Sequence, residues 1–190
     1  MYLFFDTETN GLPKNWKAPV TQLNNWPRLV QLAFLVYDDN GNETAQADFI
    51  IKPDGFSIPN ELAKIHGIST ERAIAEGVPI DKVLDVFLEH LSEAETVVAH
   101  NLSFDEKILG SELLRAGHQN LLLQKKRICT MESSTNFCKI PGKYGFKWPK
   151  LSELHIKLFG VDFEEAHNAT ADISATAKCF WEMKNRGLIP

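Results

Sequence analysis

No stretch of the chain holds about 18 uninterrupted apolar residues, the length a membrane-spanning helix needs, so a membrane protein is not expected. The N-terminus has no charged n-region and no cleavage site of the secretory type, and a soluble, cytoplasmic protein with no membrane partner is expected. Cysteine is scarce. Cys129, Cys138 and Cys179 are odd in number, widely spaced and form no C-x-x-C pair, so neither a disulfide framework nor a zinc site is suggested and buried free thiols are expected. A basic surplus is missing too: 20 Lys and Arg stand against 25 Asp and Glu, a net charge of −5, which argues against broad non-specific nucleic-acid binding. No internal repeat or low-complexity segment occurs. What is present is 190 residues with 44% apolar content, enough for one well-packed domain and short for two, so residues 1–190 are expected to form a single domain.

The pattern along the chain is strand, loop, hairpin, and then strands alternating with helices. MYLFFDTE is an apolar strand, followed by a Pro-, Asn- and Trp-containing loop from Gly11 to Pro27. LVQLAFLVYD and TAQADFIIKP flank Asn40-Gly41, a strong hairpin signal. Short helices are expected from Pro59 to near Gly67 and from Ser69, and Val83, Val86, Phe87 and Leu91 form a stripe at helical spacing. TVVAH reads as a buried parallel strand. Ser103-Phe104-Asp105-Glu106 matches a capping box that would start a helix running to Gly117. A strand at RICTM, helices near Glu132 to Cys138 and Leu151 to Phe159, and a last helix from about Thr170 to Arg186 complete the order. The last helix would bury Ile173, Ala177, Phe180 and Trp181 and stop at Gly187. The fold class is therefore α/β, a mixed sheet flanked by helices.

Four acids fall in three separate stretches: Asp6 and Glu8 in FFDTETNG, Asp105 in HNLSFD and Asp172 in HNATAD. Asp6 and Glu8 stand at i and i+2 of a strand and so share a face. Two close carboxylates repel, and one would take up a proton unless divalent cations kept both ionised as hard oxygen ligands. Phosphodiester cleavage asks for an activated water, a neutralised phosphate and a stabilised leaving oxygen, and two such ions about 4 Å apart serve all three needs. Asp6 is placed to bridge two ions, Glu8 and Asp172 to complete one coordination sphere, and Asp105 to hold the other. His167, just before the helix carrying Asp172, suits the base that takes the proton of the attacking water.

In order and spacing, DTETNG, HNLSFD and HNATAD match the three motifs of the DEDDh exonucleases, and the chain from Asp6 to Asp172 resembles the DnaQ-like 3′-to-5′ exonuclease family. The resemblance implies an RNase H-like fold, two Mg²⁺ or Mn²⁺ ions, and release of nucleoside 5′-monophosphates from a 3′ end. His167, five residues ahead of Asp172, assigns the h branch; in the sister branch a tyrosine stands four residues ahead, where this chain has Asn168. IHGIS around His66 resembles the family segment near the 3′-terminal nucleotide. Thr9 and Leu12 occupy places where relatives contact the terminal sugar and base, and Asn101 and Phe104 of HNLSFD are further candidates for substrate contact. Position 10 is Asn where many relatives have Thr, a departure that touches substrate contact and not the metals.

Two local basic clusters occur: Lys125, Lys126 and Arg127, and Lys139, Lys143, Lys147 and Lys150 interleaved with Tyr144, Phe146 and Trp148, the second being a candidate surface for tracking a strand. The second reads equally as a solvated loop with aromatic anchors. Trp16 and Trp26, in the loop from Pro13 to Pro27, could stack on a frayed single-stranded end or pack for stability. His100 is expected to be structural, and Met131, Phe137 and Trp181 to belong to the core. Nothing in the residues separates DNA from RNA. Single-stranded DNA, in repair or proofreading, is the favoured expectation, and with no polymerase domain appended any polymerase partnership would be in trans. The competing readings are an RNA-trimming exoribonuclease of the same fold, a non-catalytic module binding a nucleic-acid end or a polymerase, and a metal-dependent phosphohydrolase of free nucleotides.

Overall fold

The computed structural model of the chain describes residues 1–163 and 169–190. The first apolar run forms β1 (Tyr2–Thr9), and the hairpin at Asn40-Gly41 joins β2 (Leu29–Tyr37) to β3 (Glu43–Ile50). Gly41 takes a φ of 83°, which favours glycine, and one Asp38 oxygen accepts the N–H groups of Asn40 and Asn42 at 2.9 and 2.8 Å. The helices α1 (Asn60–His66), α2 (Thr70–Glu76) and α3 (Ile80–Glu93) precede β4 (Thr96–Ala99) and α4 (Leu102–Arg115). Then come β5 (Lys126–Cys129), α5 (Thr130–Cys138), a small hairpin of β6 (Pro141–Gly142) and β7 (Gly145–Phe146), α6 (Leu151–Phe159) and α7 (Ala169–Asn185).

The main sheet has the order β3-β2-β1-β4-β5, with β1 antiparallel to β2 and parallel to β4. This mixed sheet flanked by helices is the architecture expected from the alternation of strands and helices. Because β1 lies at the centre and alternates, it packs on both faces of the sheet. Phe4 meets Phe180 of α7 with ring centres 5.1 Å apart, edge to face, while Phe5 meets Phe87 of α3 at 5.8 Å. Rings buried this completely contribute about 1.5–3 kcal/mol each, and they fix α7 and α3 on opposite faces of the strand that carries Asp6 and Glu8.

Local expectations fail where a tertiary partner intervenes. The capping box at Ser103 is not formed: the cap lies two residues earlier, at Asn101 in the left-handed region (φ 73°), so that α4 begins at Leu102, and Glu106 turns to Arg127 at 3.1 Å instead. RICTM is strand only to Cys129, and Thr130 and Met131 open α5. In α3, Leu84 is buried with Val83, Phe87 and Leu91, while Val86 is 36% exposed. The basic residues Lys126 and Arg127 lie exposed on β5, the sheet edge, where charge discourages pairing with another strand. That role, with the Arg127–Glu106 pair and the Lys125 bond to Ser92 O (3.2 Å), absorbs the first basic cluster. Among the described residues no helix is long and apolar enough to cross a membrane.

Candidate active site

The even positions of β1 run Tyr2, Phe4, Asp6, Glu8 along the face that packs on α7. Opposite Asp6 on β2 is Ala33, which leaves space above the carboxylate, and opposite Glu8 is Gln31. Gln31 Nε2 donates to Asp48 Oδ1 of β3 at 2.7 Å, and the other Asp48 oxygen accepts from Thr170 Oγ1 at 2.5 Å. This chain ties the start of α7 across two strands and sets Asp172, in the first helical turn, over β1. One oxygen each from Asp6, Glu8 and Asp172 can be chosen so that all lie within 4.8 Å of one another. A helix N-terminus also favours a carboxylate in its first turn.

Asp105 arrives from the other side. Pairing of β1 with β4 ends at Phe4–Val98, so the rest of β1 runs beyond its neighbour. There Asp105 Oδ1 accepts the Thr7 N–H at 3.1 Å and the Thr7 hydroxyl at 2.6 Å. Thr7, turned away from Asp6 and Glu8, thus anchors the acid of the second motif to the strand of the first. Asp105 is 3% exposed.

The four carboxyls feel one another. Burial, then Asp105, Glu8 and Asp172 in that order, holds the Asp6 carboxyl well above the usual range. Burial and Asp172 push Glu8 up to about 7. Asp105 is also pushed up to about 7 by burial and by Glu8, although the two bonds from Thr7 pull against this. Acids that hold protons so near neutrality are a set that a divalent cation would ionise, and the donors are all hard oxygens, as Mg²⁺ and Mn²⁺ prefer. The residues therefore fit such ions, with Asp6, Glu8 and Asp172 as one ligand group and Asp105 beside it.

A cavity of about 410 Å³ opens on this cluster, lined by Asp6, His100, Lys150, Leu151, Ser152, Phe163 and Asp172. His100 is structural, as expected: Nε2 lies 3.1 Å from Pro149 O and Nδ1 3.0 Å from Thr130 Oγ1, and burial pushes its pKa down to about 4. Lys150 is the residue that sequence reasoning did not bring here. In sequence it was one lysine of a basic run, and only the closure of the chain onto His100 sets it beside Asp6. For Thr7 the sequence carries no such signal, because its position between two acids says nothing of what the opposite face meets.

The remaining candidates divide. Thr9 is buried and donates to Gly11 O at 2.7 Å, whereas Leu12 is 70% exposed. His66 is buried at the end of α1; its Nδ1 accepts the Ile68 N–H at 3.2 Å and Nε2 has no hydrogen-bond partner among the described residues. Phe104 packs at 5.7 Å on Trp16, which is half exposed and whose carbonyl accepts from Lys107 Nζ of α4 at 3.2 Å. Trp26 is buried and donates to Pro19 O at 3.1 Å, so of the two loop tryptophans it is the packed one. The Asn10 side chain bonds Arg28 N–H and Ser57 O, which accounts for the departure at that position. His167, the expected base, and Asn168 lie outside the described residues.

Comparison with known proteins places this geometry. The RNase_T family model, described as exonuclease, matches residues 3–180. The PolC-type DNA polymerase III of Staphylococcus aureus is 29% identical over 186 residues, which is 96% of this chain and 11% of the polymerase. Among solved structures, E. coli exonuclease I in complex with a dA16 oligonucleotide superimposes with a TM-score of 0.76 at 20% identity, over 97% of this chain and 41% of that one. The zinc-bound exonuclease I–single-stranded DNA complex gives 0.76 and 20% over 97% and 40%. The chain thus spans a small part of the polymerase and about two fifths of exonuclease I, and at this identity the superposition establishes the RNase H-like fold. The family model, by contrast, runs from β1 into α7 and takes in all four acids: the chain belongs to the DnaQ-like exonuclease family.

Proposed function

We propose that residues 1–190 act as one exonuclease domain that hydrolyses phosphodiester bonds from the 3′ end of nucleic acid, single-stranded DNA being favoured, and releases nucleoside 5′-monophosphates. The observation that carries this reading is the convergence of Asp6, Glu8 and Asp172 within 4.8 Å, with Asp105 pinned beside them by Thr7. Asp6, Glu8 and Asp172 would hold one Mg²⁺ or Mn²⁺, and Asp6 with Asp105 a second; when bound, such ions neutralise the phosphate, activate water and stabilise the leaving oxygen. The chain itself supplies orientation and proton transfer. The anchoring of α7 through Thr170 and Asp48 keeps Asp172 over β1. His167 takes the proton of the attacking water, a role suited to an imidazole that titrates near neutrality. Leu12, His66, Asn101 and Phe104, with Thr9, contact the terminal nucleotide.

The preference for DNA is supported by the relatives, a DNA polymerase and an exonuclease solved with single-stranded oligonucleotides. The likeness to a segment of PolC likewise supports work alongside a DNA polymerase. A cytoplasmic setting accords with three buried cysteines, none of them in a disulfide.

The test is a gel time course on matched 5′-labelled single-stranded DNA and RNA in Mg²⁺, Mn²⁺ or EDTA. A metal-dependent ladder shortening from the 3′ end is expected. Asp6→Ala should abolish both the ladder and Mn²⁺ binding by calorimetry, whereas His167→Ala should slow single turnover about 10²–10⁴-fold and leave Mn²⁺ affinity largely intact. Strand bound without turnover would convert the site into a binding module, and turnover of free nucleotides alone into a phosphohydrolase.

A further inference from the structure

The eight residues from Pro141 to Trp148 are all exposed, and they stand out from the molecule as the β6–β7 hairpin with Lys143 and Tyr144 at its turn. Three of them are aromatic: Tyr144 is 91% exposed, Phe146 50% and Trp148 62%. Rings left in water forgo the burial that folding normally secures, so three together on one projection mark a contact surface. The projection is held firmly at its root. Lys147 N–H donates to Ile140 O at 2.9 Å, Lys147 Nζ pairs with Glu153 at 2.6 Å, and the buried Pro149 is held through its carbonyl by His100.

Charge and continuity identify the occupant. Lys139 is exposed at the root of the hairpin and Lys143 at its turn, in a chain whose net charge is −5, and Lys143 Nζ sits 5.1 Å from the Tyr144 ring centre. Rings alternating with lysines suit a polymer that offers flat apolar faces and regularly spaced negative charge, which is unpaired nucleic acid; a duplex hides its base faces. The hairpin leads through Pro149 to Lys150, which lines the cavity with Asp6 and Asp172.

We propose that the β6–β7 hairpin is a platform for the single-stranded segment on the 5′ side of the reacting nucleotide, stacking bases on Tyr144 and Trp148 and meeting phosphates with Lys143 and Lys139. The direction of the strand rests on the exonuclease reading above; the binding surface does not. The test is fluorescence anisotropy of 5′-fluorescein oligothymidylates, one of about four nucleotides and one of about twenty, on the full chain in EDTA, which isolates binding from turnover. Wild type should bind the longer strand more tightly. Tyr144→Ser/Trp148→Ser should lose at least about tenfold in affinity for it at an unchanged melting temperature. Lys143→Gln should flatten the dependence of log affinity on log salt by about 0.7. If the double variant melts early, Tyr144→Ser alone, at the most exposed ring, decides the matter with a loss of about fivefold. Wild-type affinity in these variants at every salt, or no gain with strand length in the wild type, would overturn the proposal. Intact strands in Mg²⁺ would instead count against the exonuclease reading and leave the binding result standing.

Discussion

Thr7 shows how much a single side chain can decide at this site. Its hydroxyl and its N–H both go to Asp105 Oδ1, so it keeps an otherwise buried carboxylate usable. Thr7→Val removes the stronger bond, the one at 2.6 Å, while conserving shape. Since the bonds from Thr7 lower the Asp105 pKa against the effect of burial, their partial loss raises it further above about 7. A hydrogen bond to a charged group is worth about 1.5–3 kcal/mol, so the shift should be about one pH unit or more. The expected outcome is that the pH at which Mn²⁺ affinity reaches half its plateau moves upward by that amount. An unmoved midpoint would remove Thr7 from the role given to it. Asp6 and Glu8 announced themselves by their i, i+2 spacing in an apolar run; Thr7 did not, because a strand's alternation says which face a residue takes and not what stands there.

At the scale of elements, α4 does two jobs. Its first turn presents Asp105, and two turns later it buries Glu112, which is 1% exposed. Glu112 Oε1 accepts from Arg28 Nε at 2.9 Å, Leu29 N–H at 3.1 Å and Arg115 at 2.8 Å. Arg115 in turn donates to Leu23 O and Trp26 O at 2.6 and 2.8 Å, so the long loop after β1 is fastened to the helix that carries the acid. Glu112→Ala leaves two partly buried guanidinium groups and one N–H without their acceptor, and should cost about 3 kcal/mol in urea unfolding. A cost under about 1 kcal/mol would mean that the knot is not what holds the loop. The hairpin at Asn40-Gly41, the buried strand TVVA and the Ser69 start of α2 were legible because local chemistry determines them. The capping box was not, because Arg127, twenty-one residues away, offered Glu106 a better partner.

For the whole molecule, the gathered acids imply a definite response to pH. Glu8 and Asp105 ordinarily titrate at 4.5 and 3.8 but at about 7 in the fold, so without cations the folded state binds more protons than the unfolded one. Stability contributed by these protons is complete below the ordinary values and is lost as pH rises to about 7. In EDTA the melting temperature should therefore fall between about pH 5 and about pH 8. Mn²⁺ binds the ionised acids of the folded state alone, so its stabilising shift should grow over the same range. A Mn²⁺ shift that is constant with pH would mean that the acids do not titrate as a metal site.

The sequence by itself determined the α/β alternation, the identity of the four acids and the family resemblance, because strand periodicity, turn residues and motif spacing are local properties of a chain. It also marked the ring-and-lysine run from Lys139 to Lys150, though not whether that run was packed or exposed. The tertiary structure decided what meets what: that β1 outruns β4 and so leaves Thr7 to bind Asp105, that Asp48 ties Asp172 over the central strand, that Trp26 is core while Trp148 is in water, and that His100 brings Lys150 to the acids. Those pairings join residues up to 122 positions apart, and such contacts are set by the packing of whole elements, which no local pattern encodes.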